Sequence, residues 1–382
     1  MERAHGDGPR RGGILIAGGG TAGHVLPGLA VAAALVERGV VADRSDVHLV
    51  GSRRGVEVEL VPGAGFGLTV LGGRGMQRRL TPANVGALMG LLAGFLRAFL
   101  LMVRARPRVV LSLGGYASIP CGLAAVVLRV PLVVAEQNAV PGAANRLLGR
   151  FARASAVSFV DTALPRPELT GNPVRAAIRS AVGTRSEARA RIGVDDRPLL
   201  VAFGGSLGAR RINRAVADFV EGWRGGPLAV RHVVGARGWA AGEMARAVPA
   251  GVGYTAVAYE HDMPTLLAAA DLVVCRSGAT SVAELAVLGV PSVLVPLPGA
   301  PGDHQTANAR HLAGSGGAVL LADADLDGSA LEDLLGEILS DPPRRDAMAE
   351  AARSMARPDA ADRVVDLILR HAAGRCDDVR DA

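Results

Sequence analysis

Residues 17–24 read AGGGTAGH and follow the apolar run GILI. A glycine turn between a strand and a helix exposes backbone N–H groups at the positive end of the helix dipole, which suits an anion. Gly18, Gly20 and Gly23 also fit the G-x-G-x-x-G spacing of a dinucleotide site. Such a site wants an acid at the end of the next strand, and the next apolar run, VHLVGS, ends without one. That counts against a dinucleotide. His24 falls in the first turn of the helix. There it is either polar surface or, beside a phosphate in a cleft, a general base that titrates near neutrality.

A second stretch, CRSGATSVAELAVLGVPSVLVPLP (275–298), has the same grammar. An apolar run ends at Cys275, small residues open a helix, and Glu284 follows one turn later. Backbone N–H groups at 279–282 could hold a diphosphate, and the carboxylate of Glu284 could accept two hydrogen bonds from a ribose diol. The competing reading is a capping box, with Ser281 as the cap and Glu284 reaching back. A third stretch, GDHQTANARHL (302–312), offers Asp303, His304, Gln305 and Asn308 for nucleotide or sugar contacts, or for capping by Asp303. Asp323, Asp325 and Asp327 in ADADLD have the look of a metal motif, but read better as a loop that caps the next helix, so no metal or cofactor is expected.

The elements that must carry these residues follow a β-then-α pattern. GILIAG, VHLVGS, RVVLSLGG, LVVAEQ and AVSFV are strand-like in the first half, and PLLVAFGG, AVRHVVG, TAVAY, LVVCRSG and SVLVPL in the second. Most are continuous apolar runs, as in parallel strands covered on both faces. Between them lie segments with helical spacing and glycine stops, such as LPGLAVAAALVERG. The opening device recurs: ILIAGGGTAGH begins the first half and LLVAFGGSLGARRIN the second. The fold class is therefore α/β, with two Rossmann-like doubly wound domains. The expected division is a tail over 1–12, a first domain over 13–175, a second over 176–356, and a C-terminal helix with its tail over 357–382 that packs back on the first domain.

With 382 residues, 49% of them hydrophobic and only 20% charged, the chain can bury two large cores, and its 3% of aromatics means that small aliphatic residues fill them. The net charge is +6, and every basic residue among the 42 is arginine. Without lysine there is no Schiff-base chemistry and no Walker-type phosphate loop, whereas arginine grips phosphate well. Nucleic acid is disfavoured, because no aromatic stacking motif accompanies the arginines. Cys121, Cys275 and Cys376 form no Cys-x-x-Cys pair, which argues against a disulfide framework or zinc site.

The stretch 80–110, LTPANVGALMGLLAGFLRAFLLMVRARPRVV, is long enough to span a membrane, but Arg97 and three glycines interrupt it. It reads as a core helix or as a helix lying on a membrane surface. In the second reading Val85, Leu88, Leu92 and Phe95 form one apolar face, flanked by Arg74, Arg78, Arg79, Arg104 and Arg106.

Taken together and in order, GGGTAGHVLPGLAVA, GGYASIPCGLAA, EQNAVPGAANRLL, GNPVR, GGSLGARRIN, CRSGATSVAELAVLGVPSVLVPLP and DHQTANA resemble the MurG family of peptidoglycan N-acetylglucosaminyltransferases, over roughly residues 13 to 372. Ala22 stands where many members have glycine. The resemblance implies a B-type glycosyltransferase architecture (GT-B, family 28) with its active site in the cleft between domains. It implies inverting transfer of N-acetylglucosamine from UDP-N-acetylglucosamine to the 4-hydroxyl of the muramyl sugar of lipid I, giving lipid II. It places the donor against Arg175, Ser206, Ala279, Thr280, Ser281, Val282, Ala283, Glu284 and Gln305, with a backbone contact near Glu260. Thr21, Ala22 and Gly23 lie close to the donor sugar and to the diphosphate of the lipid acceptor. His24 becomes the first candidate for the base. Tyr116 and Glu136 are further catalytic candidates that could position the acceptor, and Asn138 is a substrate contact beside them. The resemblance also favours the surface-helix reading of 80–106 and implies a peripheral protein on the cytoplasmic face of an anionic cell membrane, with other cell-wall synthesis proteins as partners. The alternatives are another GT-B transferase of UDP-sugars, acting on a lipid or natural product, and a catalytically silent sugar-nucleotide-binding protein.

Overall fold

The computed structural model describes residues 8–53, 55–72, 83–205 and 208–372, with only the backbone for 83–88. The chain forms two compact units. One comprises Met1–Arg175 with Arg357–Ala382, and the other Ala176–Ala356.

In the first unit the elements run β1 (Ile14–Gly18), α1 (Ala22–Glu37), β2 (Val47–Ser52), α2 (Glu57–Gly63), β3 (Gly67–Leu71), α3 (Ala83–Ala105), β4 (Val109–Gly114), α4 (Ser118–Val127), β5 (Leu132–Glu136), α5 (Ala143–Leu148), β6 (Ala154–Val157) and β7 (Pro167–Leu169). All seven strands are parallel, in the order β3-β2-β1-β4-β5-β6-β7. Successive residues of one strand enter opposite cores. Ile14 and Ile16 of β1, Leu49 and Leu111 pack under α1 and α2. Leu15 and Ala17, with Val110 and Val134, pack under α3, α4 and α5. This explains why the strands read as unbroken apolar runs.

The second unit runs α6 (Ala176–Ser180), α7 (Arg185–Ile192), β8 (Leu199–Phe203), α8 (Arg210–Gly222), β9 (Leu228–Val233), α9 (Ala236–Ala240), β10 (Val252–Val257), α10 (Met263–Ala269), β11 (Leu272–Cys275), α11 (Ala279–Leu288), β12 (Ser292–Leu294), α12 (His304–Gly314), β13 (Ala318–Leu320), α13 (Gly328–Leu339) and α14 (Pro342–Ser354). Its six parallel strands lie in the order β10-β9-β8-β11-β12-β13. Leu200, Val230, Leu272, Val274 and Val293 on one sheet face pack against Ile212, Phe219, Leu331, Leu335 and Ile338 of α8 and α13.

The last helix, α15 (Ala360–His371), belongs to the first unit. Its buried Val364, Val365, Leu367 and Ile368 join the α1 side of the core. Arg38 holds it with hydrogen bonds to the Asp362 carbonyl (2.9 Å) and the Asp366 carboxylate (2.6 Å). Strands β3, β7 and β13 escape the sequence pattern because they are short, partly exposed edge strands.

Helix α3 packs Gly94, Ala98, Met102 and Ala105 inward and exposes Met89, Leu92, Leu96, Leu100 and Val103 by 46–61%. At 100° per residue these five share one stripe, with the exposed Arg97 and Arg104 beside it. Leu92 is on this face. Phe95 is not, since it lies about 100° from Leu96 and packs half-buried against the α4 side, its ring 6.1 Å from that of Phe99. The expected face was therefore mis-phased at Phe95. The side chains of Val85 and Leu88, and Arg74, Arg78 and Arg79, lie outside the described residues. No helix among the described residues is long and apolar enough to cross a membrane.

Candidate functional site

In a doubly wound sheet, ligands collect at the carboxyl ends of the strands where the winding direction reverses. In the first unit that point lies between β1 and β4, and in the second between β8 and β11. The chemistry-bearing stretches fall there.

At the first switch point, β1 runs into Gly18–Gly20 and α1 begins after Thr21. Gly114 (φ +92°) and Gly115 (φ +81°) turn the chain after β4, and a Cβ on Gly115 would collide with the Gly19 carbonyl, so the two turns press directly on one another. Thr21 makes no side-chain cap to α1. The N–H groups of the first helical turn have no intrahelical partner, so those of Ala22 and Gly23 point out of the helix start. The Thr21 hydroxyl instead lies 3.1 Å from His24 Nδ1. With the proton on Nδ1 donating to Thr21, the basic lone pair of His24 is on Nε2. That edge of the ring lies against Gly114, next to the side-chain amide of Asn145.

Thr21, Ala22, Gly23, His24, Glu136 and Asn138 all gather at this end of the sheet, but Glu136 is not placed to be a base. It is 3% exposed. Its Oε1 accepts from the Asn138 N–H (3.0 Å) and Asn138 Nδ2 (3.1 Å), and its Oε2 from the Gly142 N–H (3.0 Å) and Asn145 Nδ2 (2.9 Å). Both oxygens are fully engaged in holding the 137–145 loop. Tyr116 is likewise engaged within the fold. Its hydroxyl is shared between the carbonyls of Gly72 (2.8 Å) and Gly90 (2.9 Å), which pins α3 beside β3. Burial pushes that phenol above its ordinary value.

At the second switch point the capping box fails. The cap of α11 is Gly278, which has no side chain to offer, and Ser281 sits inside the first turn. Val282 donates its N–H to the Gly278 carbonyl (3.0 Å), so the open donors are those of Ala279, Thr280 and Ser281, one fewer than the 279–282 set expected. The Thr280 hydroxyl is buried and has no partner among the described residues. Glu284 is 7% exposed on the same helix, and its charge helps burial raise the Cys275 thiol. Ala283 is half-buried. The helices α10, α13 and α14 of the same unit, by contrast, are each closed by an aspartate side chain, from Asp262, Asp327 and Asp341.

Gln305 and Asn308 brace the loop before α11. Ser277 Oγ donates to the Gln305 carbonyl (2.8 Å), Asn308 Nδ2 to the Ser277 carbonyl (3.2 Å), and Gln305 Oε1 accepts from the Leu297 N–H (2.9 Å). Arg276 bonds the Pro296 carbonyl (2.9 Å) and pairs with Asp323 at 2.6 Å. Asp323 therefore serves an ion pair and Asp327 a cap. Arg175 is half-buried at the end of the first unit, and nearby Asn172 is 6% exposed with neither amide atom partnered among the described residues. Ser206 lies outside the described residues.

The largest omission of the sequence reading is Glu57. It is 1% exposed, and its carboxylate accepts from the Gly20 N–H, at 2.9 and 3.1 Å to its two oxygens. The only signal was GVEVELVPG, which reads as a helix start with ordinary first-turn acids.

The N-terminal domain model of glycosyltransferase family 28 matches residues 14–157, and the C-terminal domain model of the same family matches 199–364. A relative from Desulforudis audaxviator is 40% identical over 370 residues, 93% of this chain and 97% of that protein. One from Alkalilimnicola ehrlichii is 41% identical over 366 residues, 94% of this chain and 99% of the relative. Both are named UDP-N-acetylglucosamine–N-acetylmuramyl-(pentapeptide) pyrophosphoryl-undecaprenol N-acetylglucosamine transferase. The solved structure of Acinetobacter baumannii MurG superposes with a TM-score of 0.75 at 30% identity, covering 95% of this chain and all of that one. Two parallel Rossmann-like sheets, an open helix start at each switch point and relatives matched along nearly their full length lead to one conclusion: the chain belongs to glycosyltransferase family 28 and is a MurG-type hexosyltransferase.

Proposed function

We propose that this enzyme moves N-acetylglucosamine from UDP-N-acetylglucosamine to the 4-hydroxyl of the muramyl sugar in a polyprenyl-diphosphate-linked muramyl pentapeptide, with inversion at the anomeric carbon. The relatives' names supply the substrates. The observation that carries the residue roles is the pair of switch-point helices, α1 and α11, which lack side-chain caps and have His24 and Glu284 within or just past their first turn.

The N–H groups of Ala279–Ser281 receive the donor's diphosphate, and Glu284 accepts the ribose hydroxyls, with Arg175, Ser206 and Gln305 around the nucleotide. The muramyl 4-hydroxyl oxygen bonds to the anomeric carbon as the bond from that carbon to the UDP oxygen breaks. The proton passes to His24 Nε2, and the electron pair leaves on UDP. The charge that develops there is stabilised by a fixed helix start, whose dipoles need no reorganisation during the step. Ala22 and Gly23 offer their N–H groups to the acceptor's diphosphate.

The exposed stripe Met89–Leu92–Leu96–Leu100–Val103, with Arg97 and Arg104 beside it, supports peripheral contact with an anionic membrane on the cytoplasmic side, where a lipid-linked acceptor resides. Partners among other cell-wall proteins fit the same location. The test is incubation of the enzyme with radiolabelled UDP-N-acetylglucosamine and a lipid I analogue. Labelled disaccharide-lipid is the expected product. Label transferred only to acceptors that lack the lipid diphosphate would point to another transferase of the same fold.

A further inference from the structure

We propose that Glu57 is a positioning residue for the transfer reaction, and that it acts by occupying the anion slot of the first glycine turn. The inference rests on the reading of His24 and of the Ala22–Gly23 helix start given above. Five residues converge on this one carboxylate. Oε1 and Oε2 both accept from the Gly20 N–H. Oε1 also accepts from the Ser52 N–H (2.6 Å) and Ser52 Oγ (2.9 Å). Three glycines from three places in the chain, Gly19, Gly51 and Gly55, make room for it, since a Cβ on any of them would collide with the Glu57 side chain.

The consequence is specific. The amide that a phosphate would ordinarily meet first in a glycine turn is already satisfied by the protein's own charge. Gly20 is held at φ +97°, a backbone conformation that suits glycine. The next residue is Thr21, whose hydroxyl orients His24. Glu57 thus fixes the register at which α1 begins, and directs an incoming diphosphate past Gly20 to the N–H groups of Ala22 and Gly23. It touches neither the donor nor the reacting atoms.

Glu57→Gln retains shape but turns an NH2 toward a nest of donors, so the Gly20 turn should relax. The test measures kcat, acceptor KM, UDP affinity and Tm for E57Q, H24A and the double variant in the full-length enzyme. The expected result for E57Q is a kcat at least tenfold lower with UDP affinity within twofold of the parent, and a Tm lowered by several degrees because a buried, fully bonded carboxylate is broken. In the double variant the two losses should not multiply, because both act through His24. An E57Q enzyme with parental kcat, or losses that multiply fully, overturns the proposal. If H24A alone is as active as the parent, the base assignment falls and E57Q still decides for Glu57: a tenfold loss sustains it and parental activity overturns it. Should E57Q fail to fold, amide exchange in the parent decides. The Gly20 N–H should exchange at least tenfold more slowly than that of Ala22, and equal rates overturn the proposal.

Discussion

The two units solve the same problem on opposite sides of their switch points. In the first, the helix start proposed to carry chemistry is α1, which follows the unit's first strand. In the second it is α11, which follows the strand on the far side of the reversal. The difference lies in what fills the anion slot. The first glycine turn is plugged at Gly20 by Glu57, so only the helix start beyond it stays open. The start of α11 carries no internal carboxylate cap, and Glu284 waits one turn further along. An open N-terminus with a carboxylate beyond it suits a nucleotide diphosphate and its ribose. A plugged turn with an oriented histidine suits an acceptor that must lose a proton. The lesson is that repeated strand–turn–helix units can diverge in function by moving one acidic side chain.

The units also share a feature unconnected with chemistry. Each buries a histidine on the strand next to its first one, bonded to a hydroxyl from the outer neighbour: His48 to Thr69 (2.8 Å) and His232 to Tyr254 (3.0 Å). Burial lowers both imidazoles from the ordinary 6.5 to about 4.

Four experiments test the contrast between the two units. The largest effect belongs to the acceptor side. His24→Ala should lower kcat by about 10²–10⁴-fold in the transfer assay, and a loss of only a few-fold would return the base role to water or to another group. Next comes acid sensitivity, which should be common to both units. The folded histidines resist protonation while the unfolded chain takes up protons below about 6.5. Their stabilising contribution is thus complete above that pH and lost as the pH falls toward 4. At about 1.4 kcal/mol per pH unit, each can cost up to about 3 kcal/mol. Denaturant midpoints at pH 7.5 and 4.5 should differ accordingly, His48→Gln should remove part of the slope, and a flat profile would contradict the burial argument. Third, Glu136→Gln should destabilise the first unit by about 1–3 kcal/mol, because it breaks a fully bonded carboxylate, and should leave UDP affinity intact. A catalytic Glu136 would instead lose kcat at unchanged Tm. The smallest effect is expected at the surface of α3. Leu92→Glu with Leu96→Glu should weaken binding to anionic liposomes by about tenfold, or about 1.4 kcal/mol, with UDP binding unchanged. Phe95→Glu should mainly lower Tm. Liposome binding that survives the double change would remove α3 from the membrane contact.

These outcomes bear on what the sequence could and could not disclose. Strands such as Leu199–Phe203 were legible because both their faces are buried, which leaves an unbroken apolar run. The α/β class, the two repeated openings and the stretch around Glu284 followed from local pattern. The phase of α3 was not legible at Phe95, because apolar residues surround that helix and only packing against α4 decides which of them turn inward. Glu136 and Tyr116 looked like free polar groups, since nothing local shows that Asn138, Gly142 and Asn145 would all donate to one carboxylate. Glu57 was invisible for the same reason. Its partners are up to 37 residues away, and an acid in the first turn of a helix is ordinarily a surface charge favoured by the dipole.

The most direct test of the division of labour is calorimetric titration of UDP into the parent, Glu284→Ala and His24→Ala enzymes. If Glu284 accepts both ribose hydroxyls, its loss should cost about 2–3 kcal/mol, since bonds to a charged acceptor contribute about 1.5–3 kcal/mol each and rarely add fully. The expected Kd is roughly 30- to 150-fold weaker for Glu284→Ala and parental for His24→Ala. A parental Kd for Glu284→Ala would contradict this division, and so would a comparable loss in both variants.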